Sequence, residues 1–100
     1  MDMERYRTRP GVVLTSVCGE YLLLAAKAAR EHCPYMTQLS ESSAFLWKLL
    51  IDGAGEDELL RAVCAEYEID EPETARQGIE TFIGQMLESG YLLREGEKHE

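Results

Sequence analysis

The spacing of apolar positions divides the chain into a β-rich first third and a helical remainder. Residues 12–17 are rich in β-branched side chains and precede Gly19, a pattern typical of a strand that ends in a tight turn. The apolar run 21–24 indicates a second strand, and residues 35–39 alternate apolar and polar positions over the length of a short strand. We therefore expect a three-stranded antiparallel sheet near the start of the chain.

The segment between the second and third predicted strands permits two interpretations. Residues 21–24 suit a buried strand, whereas residues 25–31 consist mostly of strong helix formers. Propensity alone favours a helix here. Pro34 restricts Cys33 to extended backbone and is tolerated at the start of an edge strand, so the third strand is expected to begin after it.

Three helices are predicted after the sheet. The first runs from the N-cap residue Ser40 to about residue 51, with apolar side chains at helical spacing. The second follows the acidic run 56–58, whose charges favour a helix N-terminus. The third is predicted to start at an Asp70 cap, because a glutamate three positions later has capping-box spacing, and to stop at Gly90.

These elements indicate one α+β domain, a sheet followed by helices. One hundred residues with 45% apolar content are enough for one compact core and leave no room for a second. We expect residues 10–93 to form the domain, with 91–93 closing its core. Residues 1–9 are predicted to be a flexible N-terminal tail and residues 94–100 a polar C-terminal tail.

The charge is distributed unevenly along the chain. Residues 1–50 carry six Lys or Arg against five Asp or Glu, whereas residues 51–100 carry four against fourteen. In the third predicted helix, Arg76 is outnumbered by glutamates. Nucleic-acid affinity depends on basic side chains that neutralise phosphates, so this pattern argues against a nucleic-acid partner.

Motifs for catalysis or metal binding are absent from the sequence. Cys18, Cys33 and Cys64 form no CxxC pair, and there is no HExxH, GxSxG or glycine-rich phosphate loop. We therefore predict no catalytic residue, no metal and no cofactor. No apolar run approaches membrane-spanning length, and the polar N-terminus does not match a secretory signal, which leads us to expect a cytoplasmic protein with no membrane partner.

Five stretches of the chain carry a family resemblance: 9–14 (RPGVVL), 19–24 (GEYLLL), 39–50 (LSESSAFLWKLL), 66–70 (EYEID) and 82–92 (FIGQMLESGYL). In this order, and over residues 9–93, they resemble the PqqD-like family, the recognition element of pathways that modify ribosomally made peptides. The chain departs from the family between residues 25 and 34, where a short turn would be expected. If the resemblance holds, a hairpin replaces the helix there, with some helical turn at its tip.

The resemblance implies a winged-helix-like architecture, with the three-stranded sheet followed by a three-helix bundle, and a non-catalytic peptide-binding function. In this family the leader of a precursor peptide adds as a strand beside the third strand and packs against the third helix. A modifying enzyme, a radical S-adenosylmethionine maturase, is the implied second partner, and that cofactor belongs to the partner.

On this basis the candidate peptide-binding residues lie on the third strand and the third helix. If Leu39 points to the core, Tyr35 and Thr37 share its face, and Met36 and Gln38 take the other. The candidate residues are Tyr35, Met36, Thr37, Gln38 and Leu39 on the strand, and Arg76, Ile79, Glu80 and Ile83 on the helix.

Simpler interpretations and rival functions remain open at this point. Ile79 and Ile83 fit ordinary core positions of an amphipathic helix, and Arg76 fits a solvated charge. A winged-helix DNA-binding regulator would share the outline of the fold but needs a basic third helix. A thiol or metal enzyme lacks a supporting motif. A scaffold that forms a homodimer through the same strand edge is consistent with the sequence.

Overall fold

The computed structural model describes residues 4–95. Its strands are β1 (Arg5–Thr8), β2 (Val12–Val17), β3 (Glu20–Ala25), β4 (Met36–Leu39), β5 (Ala54–Gly55) and β6 (Leu92–Arg94). Its helices are α1 (Glu41–Leu50), α2 (Glu56–Tyr67) and α3 (Pro72–Ser89). The α+β class, a small antiparallel sheet followed by three helices, is confirmed.

The predicted three-stranded sheet is present, with strand order β2-β3-β4. A two-residue turn joins β2 to β3 at Cys18 and Gly19, whose φ angles of 53° and 81° are both in the positive range of a type I′ turn. The helix that propensity favours after β3 is reduced to a 3-10 turn at Ala29–Glu31. Pairing of β3 with both neighbours outweighs the local propensity, as the family resemblance implies.

The three helices begin close to their predicted positions, but one cap was predicted wrongly. The Oγ of Ser40 accepts a hydrogen bond from the backbone N–H of Ser43 at 3.2 Å, which confirms the N-cap of α1. For α3, Asp70 is not the cap: the N-cap is Glu71, and it makes no side-chain capping bond. The helix begins at Pro72, because proline suits the first helical turn and needs no hydrogen-bond acceptor there.

A second sheet, with strand order β5-β1-β6, differs from the sequence expectation. The expected tail 1–9 contains β1, in which Tyr6 is buried between exposed Arg5 and Arg7. The expected tail 94–100 begins with the last residue of β6, Arg94, which pairs with Tyr6. The remaining tail predictions, for residues 1–3 and 96–100, lie outside the described residues.

The core lies between the sheets and the helices and centres on the tryptophan of α1. Trp47 is fully buried and meets Tyr91 edge to face, with the ring centroids 6.5 Å apart. Tyr91 and Leu92 are also buried, which confirms that residues near the end of the domain close its core. Further fully buried side chains are Leu23, Leu50 and Leu59.

Candidate functional site

The strand β4 lies at an edge of its sheet. It pairs with β3 on one side, and within residues 4–95 no strand pairs with its other side. The backbone N–H of Ala25 donates to the carbonyl of Tyr35 at 2.8 Å, and the register continues with Leu23 opposite Thr37. Hydrogen-bonded pairs alternate in an antiparallel ladder, so the backbone groups of Met36 and Gln38 point away from β3. These groups form an open edge with donors and acceptors for an added strand.

The inward side chains of β4 fix the strand to the core. Leu39 is buried, and Thr37 is half-buried with its Oγ1 2.9 Å from the Oη of Tyr91. The Tyr91 hydroxyl donates its one hydrogen to the carbonyl of Pro34 at 2.7 Å, so Thr37 is the donor in its bond to Tyr91. Tyr91 thus positions both ends of the segment 34–37. The sequence indicates Tyr91 only as a core residue, since no local pattern links positions 57 apart.

The outward side chains of β4 are available at the surface. Met36 is 52% exposed, and Gln38 donates from Nε2 to a carboxylate oxygen of Glu20 at 3.2 Å. The predicted alternation holds within β4, with Leu39 and Thr37 inward and Met36 and Gln38 outward. Tyr35, which was expected to share the inward face, precedes β4 and is 56% exposed. The guanidinium carbon of Arg30 lies 4.3 Å from its ring centroid, a cation–π contact that holds the ring at the start of the edge.

The apolar candidates on α3 lie in the core. Ile79 is 2% exposed and Ile83 is 5% exposed, and both belong to the main hydrophobic cluster. Buried side chains of this kind stabilise the fold through the area they remove from water. Their placement matches the simpler interpretation, in which the apolar stripe of α3 exists to pack.

The charged candidates on α3 face α2. Arg76 forms ion pairs with Glu56 at 3.3 Å and Asp57 at 3.5 Å. Burial, followed by the hydrogen bond and charge of Glu80, raises the pKa of the Glu56 carboxyl against the opposing effect of Arg76. Arg76 and Glu56 also line a cavity of about 470 Å³ beside β1 and the start of α2, which Arg5 completes. Arg76 is therefore paired with the start of α2, and among residues 4–95 no hydrogen bond or ion pair joins it to β4.

The three cysteines are free thiols. Cys18 is exposed, Cys64 is half-buried, and Cys33 is buried with its Sγ 3.2 Å from the carbonyl of Ala29. Burial raises the pKa of the Cys33 thiol, which disfavours the reactive thiolate.

Over residues 4–95, no group of three His, Cys, Asp or Glu side chains is placed to hold a metal ion. In the same range no helix is long and apolar enough to cross a membrane.

Comparisons with known proteins agree with this arrangement of elements. The family model described as "Coenzyme PQQ synthesis protein D (PqqD)" matches residues 20–92. A structure of TbiB1 in complex with the TbiA(beta) leader peptide is similar at TM-score 0.70 and 22% identity, covering 93% of this chain and 99% of that one. A lasso peptide synthetase B1 complexed with the leader peptide is similar at TM-score 0.69 and 23% identity, covering 88% and 96%. No curated protein sequence matches the chain significantly.

Proposed function

Since this chain belongs to the PqqD family, we propose that it is a non-catalytic peptide-binding protein that captures the leader segment of a ribosomally made precursor peptide. The leader adds as a strand along β4, and the protein presents it to a modifying enzyme. The chain itself carries out no chemistry in this proposal.

The open edge of β4 is the observation that carries this proposal. Strand addition requires unpaired backbone donors and acceptors, and the outward groups of Met36 and Gln38 supply both. The edge is held in shape from behind by the bonds of Tyr91 to Thr37 and Pro34. An edge that is rigid before binding loses less entropy on binding. The two similar folds noted above are proteins in complex with leader peptides, which supports the same use of this fold here.

The candidate residues of α3 are less accessible to a leader than the edge of β4. Glu80 is exposed and Arg76 is partly exposed, so both have surface that a leader side chain can reach. Ile79 and Ile83 are core residues, and a leader contacts them only where α3 moves away from the sheet. We therefore assign affinity chiefly to the strand edge and a secondary role to α3.

The partners and setting follow from the family resemblance. We propose a radical S-adenosylmethionine enzyme as the modifying partner, a winged-helix-like arrangement of the domain, and a cytoplasmic location. The S-adenosylmethionine chemistry would reside entirely in that enzyme.

Calorimetric titration with a synthetic leader peptide tests the proposal. The genes next to the one for this chain are first searched for a short precursor, and the leader of that precursor is synthesised as the probe. We expect a dissociation constant of about 1 μM or tighter, equivalent to about −8 kcal/mol. If about 1 mM peptide produces no heat change, the dissociation constant is weaker than about 1 mM, equivalent to about −4 kcal/mol. That result would contradict leader capture.

Two rival functions have distinct outcomes in companion experiments. A DNA-binding regulator requires free basic side chains on α3, but the guanidinium of Arg76 is paired with two carboxylates. We expect no sequence-selective signal in fluorescence anisotropy with mixed-sequence duplex DNA at about 0.15 M salt.

The same open edge can pair with a second copy of the chain. Sedimentation velocity with and without leader distinguishes this case, because leader binding then dissociates the dimer.

A further inference from the structure

The outer face of the β2-β3-β4 sheet carries an apolar row that crosses all three strands. The register places Val13 opposite Leu24 and Leu24 opposite Met36. Val13 is 58% exposed and Met36 is 52% exposed, and Leu24 between them is half-buried without belonging to the core. The row is therefore an apolar surface outside the core, and it ends at the open edge with Met36.

The neighbouring row on the same face is polar at the edge. It consists of Thr15, Leu22 and Gln38, which the register places side by side. Gln38 donates a hydrogen bond to Glu20, so its amide is oriented across the sheet and a carboxylate lies beside it. The edge therefore presents an apolar side chain at Met36. Two residues later it presents the polar side chain of Gln38, with the carboxylate of Glu20 beside it.

An added strand would continue both rows. Side chains of directly paired residues on neighbouring strands lie on the same face, about 4.5–5.5 Å apart between Cβ atoms. Because the backbone groups of Met36 and Gln38 point outward, the residues paired with them are held in place by the ladder itself. The side chain paired with Met36 would rest on Met36 and extend the row by one position beyond the edge, on the side away from Leu24.

We propose that Met36 selects an apolar residue in the bound peptide, on the outer face of the sheet, and that Gln38 with Glu20 selects a polar or basic residue two positions away. This inference rests on the proposed strand addition along β4. It identifies the ligand as a segment with an apolar and a polar residue at an i, i+2 spacing, independent of any side chain that faces α3.

Selection from a random peptide library tests the pairing. The probe is a display library of about twelve fully randomised positions, long enough for one strand and its flanks. Wild-type protein should enrich peptides with an apolar residue at one position and a polar or basic residue two positions away. For M36D, the preferred residue at the apolar position should change to Lys or Arg, because opposite charges stabilise a cross-strand pair. The wild-type consensus peptide should bind M36D about five-fold or more weakly.

V13D is the matched control. Val13 is 58% exposed on the same face, but it lies on β2, and Leu24 of β3 separates it from Met36. V13D should therefore retain the wild-type preference and affinity. If M36D enriches the same peptides as wild type and V13D, the selection by Met36 is refuted while strand addition stands. If wild-type protein enriches no peptide at all, the proposed function fails, and this inference fails with it.

Discussion

The alternation of backbone groups along β4 leads to a sharp test, the substitution Gln38→Pro. Proline removes the N–H of residue 38, which points away from β3 toward the open edge. Prolines are tolerated in edge strands where the missing N–H would face solvent. The variant should therefore fold, yet it should lack one hydrogen bond to an added strand. Gln38→Ala is the control, because it removes the side-chain bond to Glu20 and keeps the backbone N–H.

The magnitude follows from one lost backbone hydrogen bond. An intramolecular hydrogen bond contributes about 0.5–1.5 kcal/mol net, and an acceptor left unsatisfied costs about 1–3 kcal/mol. At an edge that remains partly open to water, we expect a loss near the lower ends of these ranges, about 1–2 kcal/mol. This corresponds to leader binding about five- to thirty-fold weaker than that of Gln38→Ala.

Thr37→Pro should behave in the opposite way. Its N–H points toward β3, opposite Leu23, and its hydroxyl donates to Tyr91. Proline removes both bonds from within the fold, so we expect the free energy of unfolding to fall by about 2–4 kcal/mol. Weaker binding by this variant would reflect lost structure rather than a lost contact with the leader.

The assay combines calorimetric titration of the leader with urea unfolding monitored by Trp47, the one tryptophan of the chain. We expect a large binding defect with little loss of stability for Gln38→Pro, and a large loss of stability for Thr37→Pro. If folded Gln38→Pro binds the leader within two-fold of Gln38→Ala, a difference below about 0.4 kcal/mol, the leader does not pair with β4.

Three further substitutions test the surroundings of the edge. Ile83→Ala should lower the free energy of unfolding by about 2–5 kcal/mol in urea titrations, since Ile83 is a buried core residue; an unchanged midpoint would contradict its burial. Gly90→Ala should cost more than about 1 kcal/mol in thermal unfolding, because Gly90 has φ 92° and an added Cβ would collide with the His32 carbonyl. Glu56 has a raised pKa, so its burial costs stability as pH rises through that pKa. Glu80→Gln should lessen this loss, which sets in above the ordinary pKa of a glutamate carboxyl, and an unchanged pH profile would refute the coupling.

The sequence predicted the main sheet and the helices because these elements have strong local patterns. The β-branched run of β2, the alternation of β4 and the apolar stripes of the helices are each readable without tertiary information. The second sheet had no such pattern. In β1 a single buried residue, Tyr6, lies between two arginines, and β5 has two residues only, so both depend on long-range pairing.

The same distinction applies to the candidate site. Side-chain alternation along β4 followed from one assumption, that Leu39 is buried, and the structure agrees. Which backbone groups point outward depends on the register with β3, which the sequence of β4 does not contain. The ion pairs of Arg76 with the start of α2 likewise depend on how two helices pack, so no local pattern separates Arg76 from the strand edge.

The pairing of β1 with β6 gives the domain a defined response to mechanical tension. The two strands are antiparallel, with Tyr6 opposite Arg94, and the N–H of Glu95 donates to the carbonyl of Arg5 at 2.8 Å. Force applied through both ends of the domain therefore loads this ladder from one end, one hydrogen bond at a time, as a zipper opens. The second sheet should therefore peel apart at low force. Tyr91 directly precedes β6 and its hydroxyl bonds to Pro34 and Thr37, so a pull on the C-terminal end that frees β6 would next reach the β4 edge.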